Sequence, residues 1–429
     1  MKTLRAAGLG VLLLGAALLA SAQAADETES AWARRLALPL PVPTRAVITA
    51  LPQVRAARAA QDEALARGQG LEAGSHEWTL RLGAQRLSES GGERYLENDV
   101  ALERGIRWGG KAQADRDLGA AGVAAAQAGY ADAWHEAVRS LVQDWYAWQR
   151  ARSAARVQAQ AVELTRQQRE VATRRVRAGD APRMDVMMAE AELGRMQAQQ
   201  ALAQGQEQVL QATLSRQYPG LVLEAPVDGP ALTPEALPWS GDGPYWMGRI
   251  LADNHEIERA EAEVRLARLE SERAGLDTRA DPTLGVHAAR ERGGADNVVG
   301  VYVAIPLGGA RRDAEHRAAL ARLAMAEQRL VQTRQRVEAA AQRVALQALQ
   351  AQAAWQRQVE VEQAMAGVAQ LGIKAYDLGE MTLTESLQAR RAALDAALAA
   401  EAARWDALEA ASRVLVDAHQ LWAAEEAGH

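Results

Sequence analysis

The chain contains no cysteine. Disulfides, thiol nucleophiles and thiolate metal sites are therefore excluded, as is lipidation at a cysteine following a signal sequence. No segment beyond the first two dozen residues is long and apolar enough for a membrane helix, which needs about 20 apolar residues. The charge balance has no basic excess: the formal net charge is −6, so there is no electrostatic footprint for nucleic acid. No GxSxG, HExxH or P-loop pattern occurs, so neither an enzyme nor a bound cofactor is expected. The seven histidines (76, 135, 255, 287, 316, 419, 429) show no ligand spacing, and no metal site is expected. Phenylalanine is absent although there are 11 tryptophans. Proline is sparse and unevenly placed: six of 13 fall between Tyr218 and Tyr245, which marks that stretch as loop or linker.

What is present begins with a secretory signature. Lys2 and Arg5 precede an apolar run from Ala6 to Ala20, and Ala22-Gln23-Ala24 fits a small-x-small cleavage site. The mature chain is expected to start near Ala25. Alanine, leucine, glutamine, arginine and glutamate then dominate, a composition that favours long helices over several compact domains.

The remainder reads as an internal duplication. RVRAGDAPRMDVMMAEAEL (175–193) and KAYDLGEMTLTESLQARRAAL (374–394) place Gly179 and Gly379 200 positions apart. Each glycine is followed at once by an acid (Asp180, Glu380) and by another six residues on (Asp185, Glu385). Upstream, aligning Ile106 with Ile305 also pairs Trp108 with Leu307 and Gly110 with Gly309. LRLGAQ (80–85) likewise resembles TLGVHA (283–288). The shared order is helix, strand, strand, long helix, turn, helix. Residues 25–216 and 246–424 form the two repeats, joined by a linker over 217–245 and followed by a short tail, 425–429.

Gly110 to Arg177 holds no proline, and Trp134, Val138, Leu141, Trp145 and Trp148 alternate spacings of four and three. That is a heptad seam. Leu323, Leu330, Val337 and Val344 recur every seven in the second half. Each long helix is expected to span roughly 65 residues, or about 100 Å. Gly179 and Gly379 suit positive φ after a helix, and Asp180 and Glu380 are placed for the next helix N-terminus.

The strands alternate. Trp78, Leu80, Leu82 and Ala84 share one parity, and Leu96, Val100, Leu102, Ile106 and Trp108 share another run of it. Glu97, Asp99, Glu103 and Arg107 take the opposite face. In the second half Val299, Val301, Val303 and Ile305 are the apolar set, opposite Gly300, Tyr302 and Ala304. Such a two-faced wall suits a membrane β-barrel with lipid outside and water inside, or a soluble sheet with one wet face. Four strands cannot close a barrel in lipid, so a membrane sheet requires a homo-oligomer; a trimer supplies twelve strands.

These features together resemble the outer-membrane efflux proteins, the TolC-like channels of Gram-negative bacteria. The likeness rests on the duplicated order, on IPLGGARRDAEHRA after the fourth strand, and on the paired glycine turns with their downstream acids. It covers nearly the whole mature chain. It implies a mainly α protein with a membrane β-barrel: a homotrimer with a shared 12-stranded barrel in the outer membrane and an α-helical tunnel in the periplasm. It also implies that Trp78, Leu80, Leu82, Val100, Leu102, Ile106, Val301 and Val303 face lipid. The tip turns, Gly179, Asp180, Gly379 and Glu380, would meet a periplasmic adaptor (membrane fusion protein) and an inner-membrane pump of the RND type. The duct itself does no chemistry. By the same resemblance, a gate is expected in which Tyr376 bonds Asp185, with Glu385 adding a ring of acid on the axis. A second family link uses an arginine two after the second glycine; Met381 stands there, and Gln388 replaces a further acid. AGDAPRMDVMMAEAEL and QYPGL are similar to the heavy-metal branch, so the cargo stays open between metal cations, drugs and secreted proteins. A periplasmic coiled-coil adaptor or scaffold is the rival reading, and the duplication argues against it.

Overall fold

The computed structural model describes residues 29–88, 91–92, 94–223 and 243–423. The expected signal peptide, most of the linker and the C-terminal tail lie outside the described residues. The element order is α1 (Pro41–Ala50), α2 (Pro52–Ala73), β1 (Thr79–Ser88), β2 (Arg94–Gly105), α3 (Lys111–Ala178), α4 (Arg183–Gln217), α5 (Gly243–Ala252), α6 (His255–Asp277), β3 (Thr283–Glu291), β4 (Asp296–Ala304), α7 (Ala310–Leu378) and α8 (Leu383–Asp417). A 3₁₀ turn, Arg292–Gly294, connects β3 to β4. Helix, strand, strand, long helix, turn, helix thus occurs twice. The long helices have 68 and 69 residues, and α4 and α8 have 35 each. Unbroken alanine-rich sequence without proline permits such lengths, because nothing removes a backbone donor or adds the entropy cost of glycine runs. Among the described residues, no helix is long and apolar enough to cross a membrane.

The chain divides into two compact units. One comprises Arg55–Ala133 and His255–Val337 and contains the sheet. The other comprises the chain up to Val54, Trp134–Asn254 and Glu338 onward, and contains both glycine turns.

In the second of these, the core is the heptad seam of α3. Trp134, Val138, Leu141, Trp145 and Trp148 are all buried, alongside Leu408, Val414 and Leu415 of α8. Two of the tryptophans use a donor that phenylalanine lacks. Trp145 Nε1 donates to the Ala37 carbonyl at 2.8 Å and Trp134 Nε1 to the Trp422 carbonyl at 2.9 Å. Tyr146 donates to the Leu36 carbonyl at 2.6 Å and lies 2.8 Å from Ser412 Oγ. The second seam is less complete within one chain: Val337 and Val344 are buried, whereas Leu323 and Leu330 are only half-buried.

The sheet has strand order β1-β2-β3-β4 with every pair antiparallel. The two repeats meet at its centre, where β2 pairs with β3. Arg107, expected on the charged face of β2, instead lies past the strand end. There it caps α2, donating to the Leu71 and Glu72 carbonyls at 2.7 Å each and pairing with Asp115 at 2.8 Å.

Candidate functional site

The two turns have the same local construction. Gly179 has φ 86° and Gly379 φ 79°, a region that glycine alone enters without a Cβ penalty. Gly179 N donates to Val176 O and Asp180 N to Arg175 O; Gly379 N donates to Tyr376 O and Glu380 N to Ala375 O. This is a Schellman motif at each helix end. Asp180 and Glu380 therefore complete the preceding helices rather than begin the following ones, which start at Arg183 and Leu383. The first-turn acids are Asp185 and Glu385.

Those two acids occupy equivalent positions but do different work. Glu385 forms a capping box: Thr382 N and Oγ1 donate to its carboxylate at 3.0 and 2.6 Å, and Glu385 N donates back to Thr382 Oγ1 at 3.3 Å. These bonds hold its pKa below the usual glutamate value. In the first repeat the N-cap is Pro182, which offers no side-chain cap. Asp185 is thus not committed locally, and its carboxylate accepts from Tyr376 Oη at 3.0 Å. Tyr376 of α7 is 2% exposed, packed with Ala172 of α3, Ala189 of α4 and Leu383 and Leu387 of α8. Burial, then the bond to the Asp185 carboxylate, pushes its pKa up to about 12. The expected pair is therefore in contact. Met381 offers no charge at its position, but the guanidinium of Arg175 lies over the Tyr376 ring, 4.6 Å from its centroid. In the sequence Arg175 carries one signal, its place in the last turn of α3, where a cation suits a helix C-terminus.

Further along, the two hairpins are joined again. Glu192 of α4 accepts from Arg391 of α8 at 3.0 and 2.5 Å and from Arg195 at 3.0 and 2.6 Å. Gln168 of α3 donates to Ser386 Oγ at 3.1 Å.

In the sheet, the register puts the alternating apolar residues of all four strands on one face. Leu82 pairs with Val100, Val100 with Ala288 and Ala288 with Val299; Leu80 pairs with Leu102, Leu102 with Val286 and Val286 with Val301. Residues directly opposite share a face, so these are two continuous apolar rows across four strands; the next row pairs Leu284 with Val303 but has Arg104 on β2. Trp78 and Ile106 flank the strands with the same parity, and all of these large side chains are exposed; Val301 is 82% so. The opposite face carries Arg81 bonded to Glu103 at 2.6 Å, Gln85 bonded to Glu97 at 2.9 Å, and Tyr302 bonded to Glu103. His287 lies on this face over Gly300, and Tyr302 over Gly285, each opposite its partner in the ladder. Any Cβ added at those glycines would fall 2.6 Å or less from the ring above. Among the described residues no group of three or more histidines or acids is placed to hold a metal ion.

No family model matches the chain, and neither does any curated protein sequence. Solved structures do match. The Campylobacter jejuni CmeC outer membrane channel has a TM-score of 0.73 at 13% identity, covering 89% of this chain and 86% of that one. The Vibrio cholerae outer membrane protein VceC has a TM-score of 0.67 at 16% identity, with coverage of 88% and 95%. The outer-membrane channel OprN has a TM-score of 0.68 at 19% identity, with coverage of 92% and 93%. The chain has the fold of these TolC-like outer-membrane channels.

Proposed function

We propose that the chain is the outer-membrane exit duct of an efflux system, a passive conduit that performs no chemistry. Three copies share a 12-stranded barrel, and their hairpins line a periplasmic tunnel whose inner mouth lies at the Gly179 and Gly379 turns. A periplasmic adaptor and an inner-membrane pump supply cargo and energy there.

The sheet carries this reading. One face is apolar and exposed in unbroken rows, the other is hydrogen-bonded and polar, and among the described residues β1 and β4 have no strand on their outer sides. Water tolerates such edges; hydrocarbon does not, because each unpaired backbone group costs several kcal/mol there. Joining β4 of one copy to β1 of the next removes every edge, and cyclic symmetry repeats the contact until it closes. In the unit that contains the turns, Tyr376 and Asp185 hold the two hairpins of a protomer together, which suits a closed mouth. Three copies of Glu385 near an axis would favour cations over anions.

The test is single-channel conductance in planar bilayers with detergent-extracted full-length protein of known mass. A trimer that inserts and conducts is expected. A soluble, non-conducting species would overturn the reading and make the hairpins those of a periplasmic scaffold.

A further inference from the structure

Each turn presents a carbonyl where the two hairpins approach: Asp180, just past the end of α3, and Tyr376 in the last turn of α7, which also accepts from Gly379 N. One side chain reaches both. Arg175 Nη2 donates to the carbonyl of Asp180 in its own turn at 3.2 Å, and Nη1 donates to the carbonyl of Tyr376 in the other. Its guanidinium also stacks on the Tyr376 ring. The guanidinium also lies beside Gly379, where a Cβ would stand in van der Waals contact, 3.4 Å from Nη2. The surrounding charges agree. Residues 174–185 hold four arginines (174, 175, 177, 183) against Asp180 and Asp185, whereas residues 374–385 hold Lys374 against Asp377, Glu380 and Glu385. One tip is net cationic and the other net anionic, so their contact is electrostatically favourable, although most of these side chains are exposed and their attraction is screened by water.

We infer that Arg175 is a second latch of the closed mouth, acting through Tyr376 from the opposite side to Asp185. Tyr376 is then gripped at three points: its hydroxyl by Asp185, its ring face by the Arg175 cation, and its carbonyl by the same guanidinium. A planar fork is needed to bond two carbonyls while stacking on a ring; an ammonium has the charge without the geometry. Arg175 is a positioning residue, since it need not touch cargo. The inference rests on the reading of these turns as the mouth of a duct.

The experiment compares the full-length wild type with Arg175→Ala, Arg175→Lys and Tyr376→Phe in bilayers, together with amide hydrogen exchange at both tips. Arg175→Ala and Tyr376→Phe should each shift the channel to higher conductance, and Arg175→Lys should not restore the wild-type value. Exchange in Arg175→Ala should rise about tenfold in 176–181 and equally in 376–381, the signature of a contact between hairpins. Faster exchange confined to 176–181 would mean that Arg175 only caps its own helix, and would overturn the latch. Wild-type conductance in Arg175→Ala, with Tyr376→Phe opened, would overturn the latch while leaving the duct intact. Full rescue by lysine would overturn the role of the fork. If no form conducts, the duct reading fails, and the exchange pattern alone decides the latch.

Discussion

At the scale of single residues, the duplicated acids show how one position acquires two roles. Asp185 and Glu385 are both third residues of their helices. Threonine before Glu385 draws it into a capping box; proline before Asp185 leaves the carboxylate to reach Tyr376. Glu385→Gln separates capping from charge, because glutamine also closes a capping box. Thermal stability should be nearly unchanged, while the reversal potential in a salt gradient should show weaker cation preference. An unaltered reversal potential would place the selectivity elsewhere. Glu192 gives a pH dependence. Burial alone would raise its pKa, but the hydrogen bonds and charges of Arg195 and Arg391 prevail and lower it to about 2. A depressed carboxylate contributes its full stability above the unfolded value near 4.5 and loses it as pH falls toward 2. Wild type should therefore be more stable than Glu192→Gln at neutral pH, with the gap in melting temperature closing between those values. A gap that is constant with pH would show that the charge of Glu192 contributes nothing.

At the scale of elements, periodicity and side-chain size do the positioning. The sheet register is fixed on its polar face by His287 over Gly300 and Tyr302 over Gly285, and a slip of one residue would exchange that face with the apolar one. The apolar rows carry the element-level prediction. Leu102→Arg or Val100→Arg places a cation in the middle of the rows, which in hydrocarbon costs about 2–4 kcal/mol. Membrane assembly should fall sharply, as read by the fraction of protein recovered in outer-membrane extracts. Normal assembly of both variants would show that this face does not meet lipid. The helical seams differ in a related way. The α3 seam is filled by tryptophan within one chain, whereas the upstream part of the α7 seam stays half-exposed, as expected of a surface that a neighbouring copy covers.

At the scale of the whole molecule, the requirement is closure. On the proposed function, the apolar rows, the open edges and the part-covered seams are all closed by further copies of the same chain. Light scattering of detergent-extracted protein should give three chains per particle, after subtraction of bound detergent. Conditions that dissociate the particle to single chains should abolish conductance together with the β-sheet signal. A conducting monomer would contradict the shared barrel.

The sequence by itself determined the repeat, the element types and the faces of the strands. Those are local properties: a heptad needs only seven-residue spacing, a strand face only alternation, and a Schellman turn only a glycine where φ is positive. It also named Tyr376 and Asp185 through resemblance, and the geometry brings them together. Tertiary structure alone decided the rest. That β2 pairs with β3, so that the repeats meet in one sheet, depends on contacts between residues roughly 190 positions apart, as between Asn98 and Arg290. That Arg107 leaves the strand face for a helix end and that Arg175 crosses to the other turn both depend on where unsatisfied carbonyls come to lie. Helix ends create those groups, but only packing determines which side chain is near enough to satisfy them.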